Sequence, residues 1–302
     1  MEKCIDQSIP FLQDAKSITK LNKGYSDDEK FVVDGKYLVR IFPSDNEQKR
    51  REEFDTIQAL AEYSKYVPSG LEFGRVENSD RSYMILTFLP GADAEEELRN
   101  LTGEEQYSAG FQAGKELRNL HKLQAPAETP TWYSFKKKKS DRYLAEFSKL
   151  DLDPEMKNIL EKYITENESL MKDRPNTFQH DDFHPSNLLI NNRKFSGIID
   201  FQRMDWGDPI HDLQKLGFFS KKVSIEFTKG IIDGYHGNEI LDQTFWELFT
   251  YYSAMHIVSA LVWGRKLGGN NYERLLKYSL EVMDDHDDFR SMVPRWYVLR
   301  EN

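Results

Sequence analysis

Cysteine is almost absent from this sequence: its 302 residues include one, Cys4. A single thiol excludes an intramolecular disulfide and fits a reducing compartment, so a cytoplasmic location is expected. A basic surplus is missing too. Against 51 Asp and Glu stand 41 Lys and Arg, a net charge of −10. That argues against nucleic acid as a partner, because phosphate backbones are held by clustered cations. The densest basic run, residues 136–139, reads as a solvated face. Long apolar runs are lacking as well. The best candidate, residues 245–263, is broken by Glu247, Thr250, His256 and several Tyr and Ser. It reads as a buried helix, and no membrane association is expected. The N-terminus has no basic-then-apolar pattern, so no secretory leader is expected. There is no internal repeat, no low-complexity tract, no GxGxxG and no HExxH.

What is present divides at Pro90-Gly91. Residues 17–89 read as mostly β. A strand over 16–23 is followed by Gly24-Tyr25-Ser26. Next come 30–33, the dipeptide Asp34-Gly35, and 36–42. Asp-Gly between two β-rich runs marks a tight hairpin, because both turn positions need positive φ. A helix over 46–66 carries Phe54, Ile57, Leu60 and Ala61 at helical spacing, with Glu53 beside that stripe. Strands over 71–76 and 83–89 complete the segment. After Pro90 the pattern is helical. Thr102 and Glu105 form a capping box, Asp153-Pro154 starts another helix, and helices are expected over 210–219, 224–235, 244–267 and 272–283. An acidic surplus late in the chain, at Asp233, Glu239, Asp242, Glu247, Glu281, Asp284, Asp285, Asp287 and Asp288, would favour a cationic ligand if it lined a cleft.

One β-hairpin interrupts these helices. Apolar runs at 188–190 and 195–199 flank a polar turn, in a register that sets Asn187 against Ile198. Asp200 then lies roughly 7 Å further along its strand, at about 3.3 Å per residue. Asp182 precedes Asn187 by five residues, on a loop folded back at Pro185. Two acids and an amide oxygen gathered at one end of a hairpin suit Mg²⁺-dependent phosphoryl transfer. A polar turn that only caps the hairpin, and a zinc site, are the rival readings. His180, Asp182 and His184 alternate, as zinc ligands can. The other five histidines show no matching pairing, however, and Asn187 suits a harder ion.

The pattern His180-x-Asp182-x₄-Asn187, then Ile198-Ile199-Asp200-Phe201, then Gly207-Asp208-Pro209-x-x-Asp212-Leu213, resembles the aminoglycoside phosphotransferase family of small-molecule kinases. The resemblance covers most of the chain. Residues 37–41, YLVRI, resemble the strand carrying the phosphate-contacting base. Glu53 with Phe54, Ile57 and Leu60 resembles the helix whose acid pairs with that base. Residues 85–91, ILTFLPG, resemble the hinge that receives adenine through its backbone, and 114–121 the helix ending in Leu-His.

The resemblance implies an α+β, bilobal, protein-kinase-like fold. Its N-terminal nucleotide-binding lobe, 1–89, would be a five-stranded antiparallel sheet plus one helix. Its mainly helical C-terminal lobe, 90–302, would carry the catalytic hairpin and the substrate site. It implies Asp182 as catalytic acid–base, Asn187 and Asp200 as Mg²⁺ ligands, and Gly24, Ser26, Arg40, Glu53, Thr87 and Leu89 as nucleotide contacts. His180, Asp208 and Asp212 would be structural supports. The expected activity is transfer of the γ-phosphoryl of ATP or GTP to a hydroxyl of a small molecule, a cationic one among the candidates and first of all an aminoglycoside, by a monomer. Macrolides, choline, sugars and amino alcohols are alternative acceptors, and a non-catalytic nucleotide-binding module is the alternative of another class. Three positions depart from the pattern: Arg40 where Lys is common, Asp181 where Gly is usual, and Gln202-Arg203 after Asp-Phe.

Overall fold

The computed structural model describes residues 9–22, 28–237, 239 and 241–298. The expected contacts Gly24 and Ser26 lie outside the described residues. The chain divides into two compact units. The first is Met1–Gly91 with Ser196–Gln202, and the second is Ala92–Phe195 with Arg203–Asn302. The division falls two residues beyond the expected 89/90 boundary and assigns the segment containing Asp200 to the first unit.

In the first unit, strands β1 (Ile18–Leu21), β2 (Glu29–Val33), β3 (Tyr37–Pro43), β4 (Gly70–Arg75) and β5 (Arg81–Thr87) form an antiparallel sheet. Their order is β1-β2-β3-β5-β4. The β2–β3 turn has Asp34 at φ 53° and Gly35 at φ 63°, the mirror-image turn that matches strand twist. Side chains alternate across the pleat. Phe31, Val33, Val39, Ile41, Tyr83 and Ile85 share one face and pack on Ile9 and Leu12. The other face carries Phe42 and Phe73, which contact each other, and Phe73 meets Phe54 of α1 (Glu47–Leu60). Helix α1 stops at Leu60, six residues short of the expected end. After Ala61 the next stripe position is the polar Ser64, and Ser64 and Pro68 favour turns.

The second unit begins with β6 (Ala92–Asp93), α2 (Ala94–Glu97) and α3 (Gly103–Leu120). Thr102 and Glu105 form the expected reciprocal cap of α3. Then come α4 (Trp132–Phe147), α5 (Pro154–Glu166), β7 (Thr177–Gln179), β8 (Leu188–Asn191), β9 (Lys194–Ile198) and β10 (Asp205–Gly207). Strand β9 leaves the second unit at Ser196. The chain ends in α6 (Lys221–Val223), α7 (Ile225–His236), α8 (Gln243–Leu267), α9 (Gly269–Asp285) and α10 (Arg295–Val298). Helix α8 is the centre of the core. Its Tyr251, Tyr252, Ile257 and Leu261 are buried with Trp132 and Phe147 of α4, Leu160 and Ile164 of α5, and Leu275 and Val282 of α9. Among the described residues, no helix is long and apolar enough to cross a membrane.

Helices α3 and α7 approach at backbone distance. A Cβ built on Gly110 or Gly114 would lie 2.0 Å from the carbonyl oxygen of Phe227 or Ile231, and one on Gly234 would lie 1.9 Å from that of Phe111. Backbone cannot yield as a flexible side-chain end can. Gly114→Ala should therefore lower stability by at least about 2–3 kcal/mol, read as a leftward shift of the urea midpoint. An unchanged midpoint would show that the helices separate freely.

Two sequence expectations change. The segment after Asp208 is not a single α-helix. It is a 3₁₀ helix, Pro209–Lys215, followed by a π-helical turn, Leu216–Ser220. Nor is residues 136–139 a wholly solvated run. Lys136 is buried, contacts His211, and lies 5.1 Å from the Trp132 ring centroid. Burial pushes its ammonium down to about 7.

Candidate active site

The 3₁₀ geometry sets the loop that carries Asp182. With three residues per turn, side chains three apart stand on one side, so Asp212 and Lys215 face the same segment, 180–182. The Asp212 carboxylate accepts from the backbone N–H of His180 (2.6 Å) and Asp181 (2.7 Å), and pairs with His121 at 3.0 Å. Lys215 donates to the Asp181 carbonyl (2.5 Å) and to the Asp182 carboxylate (2.6 Å). His180, fully buried, accepts from the Asp182 N–H through Nδ1 at 3.3 Å. Asp208 anchors the far end. Its carboxylate receives Arg174 (2.6 Å), the Tyr252 hydroxyl (2.8 Å) and the Ile210 N–H (3.0 Å), so it caps the 3₁₀ helix and holds two other elements to it.

Asp181, where the family pattern has Gly, has φ 53°. The position requires the left-handed region. Glycine enters that region freely, and aspartate enters it more readily than most residues. The substitution is thus a conformational equivalent, and its carboxylate also lies 3.5 Å from His211.

Asp182 keeps 17% of its side chain exposed, and three cationic or hydrogen-bonding groups surround it: Lys215, His184 at 3.5 Å and Arg203 at 3.7 Å. Burial alone would raise its pKa. The His184 hydrogen bond and the Lys215 ammonium outweigh burial and hold the carboxyl well below the usual carboxylate range. It is therefore ionised throughout the neutral range and presents a fixed acceptor for a hydroxyl proton. Removing the Lys215 charge moves that pKa upward. In Lys215→Met the acid limb of the rate–pH profile should shift to higher pH, with the loss growing as pH falls. Lys215→Arg should hold the wild-type limb. Superimposable profiles for all three proteins would exclude this role.

Asn187 donates its amide N–H to the Asp182 carbonyl at 2.9 Å, which turns its Oδ1 the other way. That oxygen has no hydrogen-bond partner among the described residues. In the first unit, Asp200 has φ 67°, and its carboxylate likewise forms no hydrogen bond or ion pair with a described residue. Both are uncommitted hard oxygens, the donor type that Mg²⁺ takes. Among the described residues, no group of three or more His, Cys, Asp or Glu has metal-binding geometry.

Also in the first unit, Arg40 belongs to a closed ring of four charges. It pairs with Asp28 (2.6 Å) and Glu53 (2.6 Å). Arg50 pairs with the same two acids at 2.6 and 2.9 Å. Gln202 adds a 3.0 Å bond to Asp28. Burial opposes the Arg40 charge, but Glu53 and Asp28 overcome it and raise its pKa. In the expected hinge, the Thr87 N–H goes to the Ser69 carbonyl and its hydroxyl accepts from the Ser69 N–H. The backbone N–H and C=O of Leu89 have no partner among the described residues, so Leu89 has the freer backbone for a base.

The sequence reading did not single out Lys215, Asp28 or Arg50. The spacing Asp212-x-x-Lys215 is a signal only once the segment is known to be 3₁₀. Asp28 and Arg50 carry no local signal, because their pairing spans 22 residues. The late acids, expected to act as a field for a cation, are largely occupied. Asp233 accepts from Tyr107 and Tyr297. Asp242 caps α8. Glu239, Glu281, Asp284, Asp285 and Asp287 pair with Arg118, Lys222, Arg295, Lys221 and Arg290.

Comparison with known proteins adds to this geometry. The model of the phosphotransferase enzyme family matches residues 17–248. No curated protein matches the sequence. Among solved structures the chain is similar to a gentamicin complex of APH(2'')-IIa, with 17% identity, 94% of each chain covered and a TM-score of 0.61. It is also similar to the GDP complex of aminoglycoside 2'-phosphotransferase-IIIa, with 18% identity, 90% of this chain and 94% of that one covered, and a TM-score of 0.64. A third likeness is to a choline/ethanolamine kinase family protein from Mesorhizobium loti, with 17% identity, 94% of each chain covered and a TM-score of 0.67. The α+β kinase-like fold expected from the sequence is the fold observed.

Proposed function

The chain belongs to the phosphotransferase enzyme family, and on that premise we propose that it transfers the γ-phosphoryl group of ATP or GTP to a hydroxyl of a small molecule. The observation that carries this reading is the Asp182 carboxylate, partly exposed, held ionised and fixed by Lys215 and His184. Asp182 orients the acceptor hydroxyl and takes its proton as the O–P bond forms. Asn187 and Asp200 are assigned as Mg²⁺ ligands, and bound Mg²⁺ would neutralise charge on the phosphates. Leu89 and Thr87 belong to the segment assigned to the base. His180, Asp208 and Asp212 keep the Asp182 loop in place.

An aminoglycoside is the first acceptor to test, because the structural relatives include a gentamicin complex. An amino alcohol is the second reading. It is favoured by the likeness to the choline/ethanolamine kinase family protein and by the internal pairing of the late acids, which leaves less free charge for a polycation. The test is ADP or GDP release with Mg²⁺ against gentamicin, kanamycin, choline and ethanolamine, with the product identified by mass. Phosphorylated product from any of these supports phosphoryl transfer and identifies the class. Failure of the protein to bind either nucleotide would overturn it.

A further inference from the structure

We propose that Lys30 is a nucleotide-phosphate contact of this protein, a residue that binds the β- and γ-phosphates while Arg40 serves the fold. The inference rests on the nucleotide-dependent reading above and names a residue that the sequence pattern did not.

Charge balance is the first argument. Arg40 and Arg50 each pair with Asp28 and Glu53, so two positive charges meet two negative ones. The ring is neutral within itself. Arg40 is 4% exposed, and its Nε, Nη1 and Nη2 all donate to these acids. A guanidinium so enclosed offers an incoming polyanion little net charge and few donors.

Placement is the second argument. Lys30 on β2 is the direct cross-strand partner of Arg40 on β3. Directly opposed residues of an antiparallel pair project from the same face. Lys30 therefore stands beside the position to which the family pattern gives the phosphate-contacting base. In the sequence it follows Gly24–Ser26, the segment assigned to cover the phosphates, by four residues.

The third argument is that Lys30 is uncommitted. It is half-buried, and its ammonium makes no hydrogen bond or ion pair with any described residue. Burial lowers its pKa, and Asp200 is the carboxylate that most offsets this. A partly desolvated ammonium lacking a hydrogen-bonded acid is costly unless an anion completes it. A nucleoside di- or triphosphate supplies such an anion, with Lys30 acting as a compact point charge.

Calorimetric titration of the full chain with ADP, GDP and adenosine in Mg²⁺ tests this, for wild type, Lys30→Met and Lys30→Arg. Lys30→Met should weaken the preferred diphosphate about 10–100-fold, the loss of one charge-assisted contact. Lys30→Arg should recover most of it, and adenosine affinity should not change. Without nucleotide, the melting temperature of Lys30→Met should equal or exceed that of wild type, which separates a ligand contact from a structural role. A Lys30→Met diphosphate affinity within twofold of wild type overturns the assignment and leaves the phosphotransferase reading intact. A wild-type protein that binds neither diphosphate overturns both.

Discussion

Asp182→Asn will reduce the phosphoryl-transfer rate by about 10²–10⁴-fold, the range over which a positioned acid–base group acts, while the nucleotide KM stays within a few-fold of wild type. The asparagine keeps the shape and can still accept one hydrogen bond from Lys215, but it cannot take a proton. Its effect belongs to kcat for that reason. A second consequence follows from Lys215, whose side chain is only 9% exposed and whose ammonium would lose its charged partner. A modest fall in melting temperature should accompany the kinetic loss, and the double variant Asp182→Asn/Lys215→Met should recover part of that stability without recovering rate. Steady-state kinetics with the best acceptor, set beside thermal melts, separates the two effects. If Asp182→Asn keeps more than a tenth of wild-type kcat, the proton acceptor is another group and the role given to the Lys215–Asp182 pair falls with it.

The features legible in the sequence were those written locally. Asp34-Gly35 dictated a mirror-image turn, and both residues have positive φ. The hairpin after Asn187 turns at Asn192 and Arg193, at φ 49° and 63°, a two-residue turn that sets the register of its strands. Thr102 with Glu105, and Asp153 before Pro154, began helices where capping chemistry says they should. What stayed hidden needed either a helix type or a distant partner. Lys215 reaches Asp182 because its segment winds with three residues per turn, and an α-helical reading turns the side chain elsewhere. Lys136 is buried because His211 and Trp132 meet it from outside its own basic run. Asp181 departs from the Gly of the family pattern, and its backbone angle is the reason an aspartate is tolerated there. Charge runs and acid counts were the weakest guides, because pairing decides whether a charge is available.

Arg40→Met will destabilise the protein by about 3–5 kcal/mol, the usual consequence of removing one member of a buried ion pair. The variant leaves Asp28 and Glu53 sharing Arg50 alone, so one buried negative charge has no counterpart. Neutralising an acid as well, in Arg40→Met/Glu53→Gln, should recover a substantial part of the loss, because the remaining Asp28–Arg50 pair is balanced again. Urea unfolding of wild type, both single variants and the double variant gives the coupling energy directly. A coupling near zero, or a loss below 1 kcal/mol for Arg40→Met, would show that the ring does not hold α1 against the sheet and would free Arg40 for the nucleotide. The contrast with Lys30 makes the two roles separable: loss of Arg40 is read in the unfolding curve of the empty protein, and loss of Lys30 in the affinity for a diphosphate. In this chain Arg40 pairs with two acids and the Lys30 ammonium with none, and the two measurements test whether stability and phosphate binding divide between neighbouring strands.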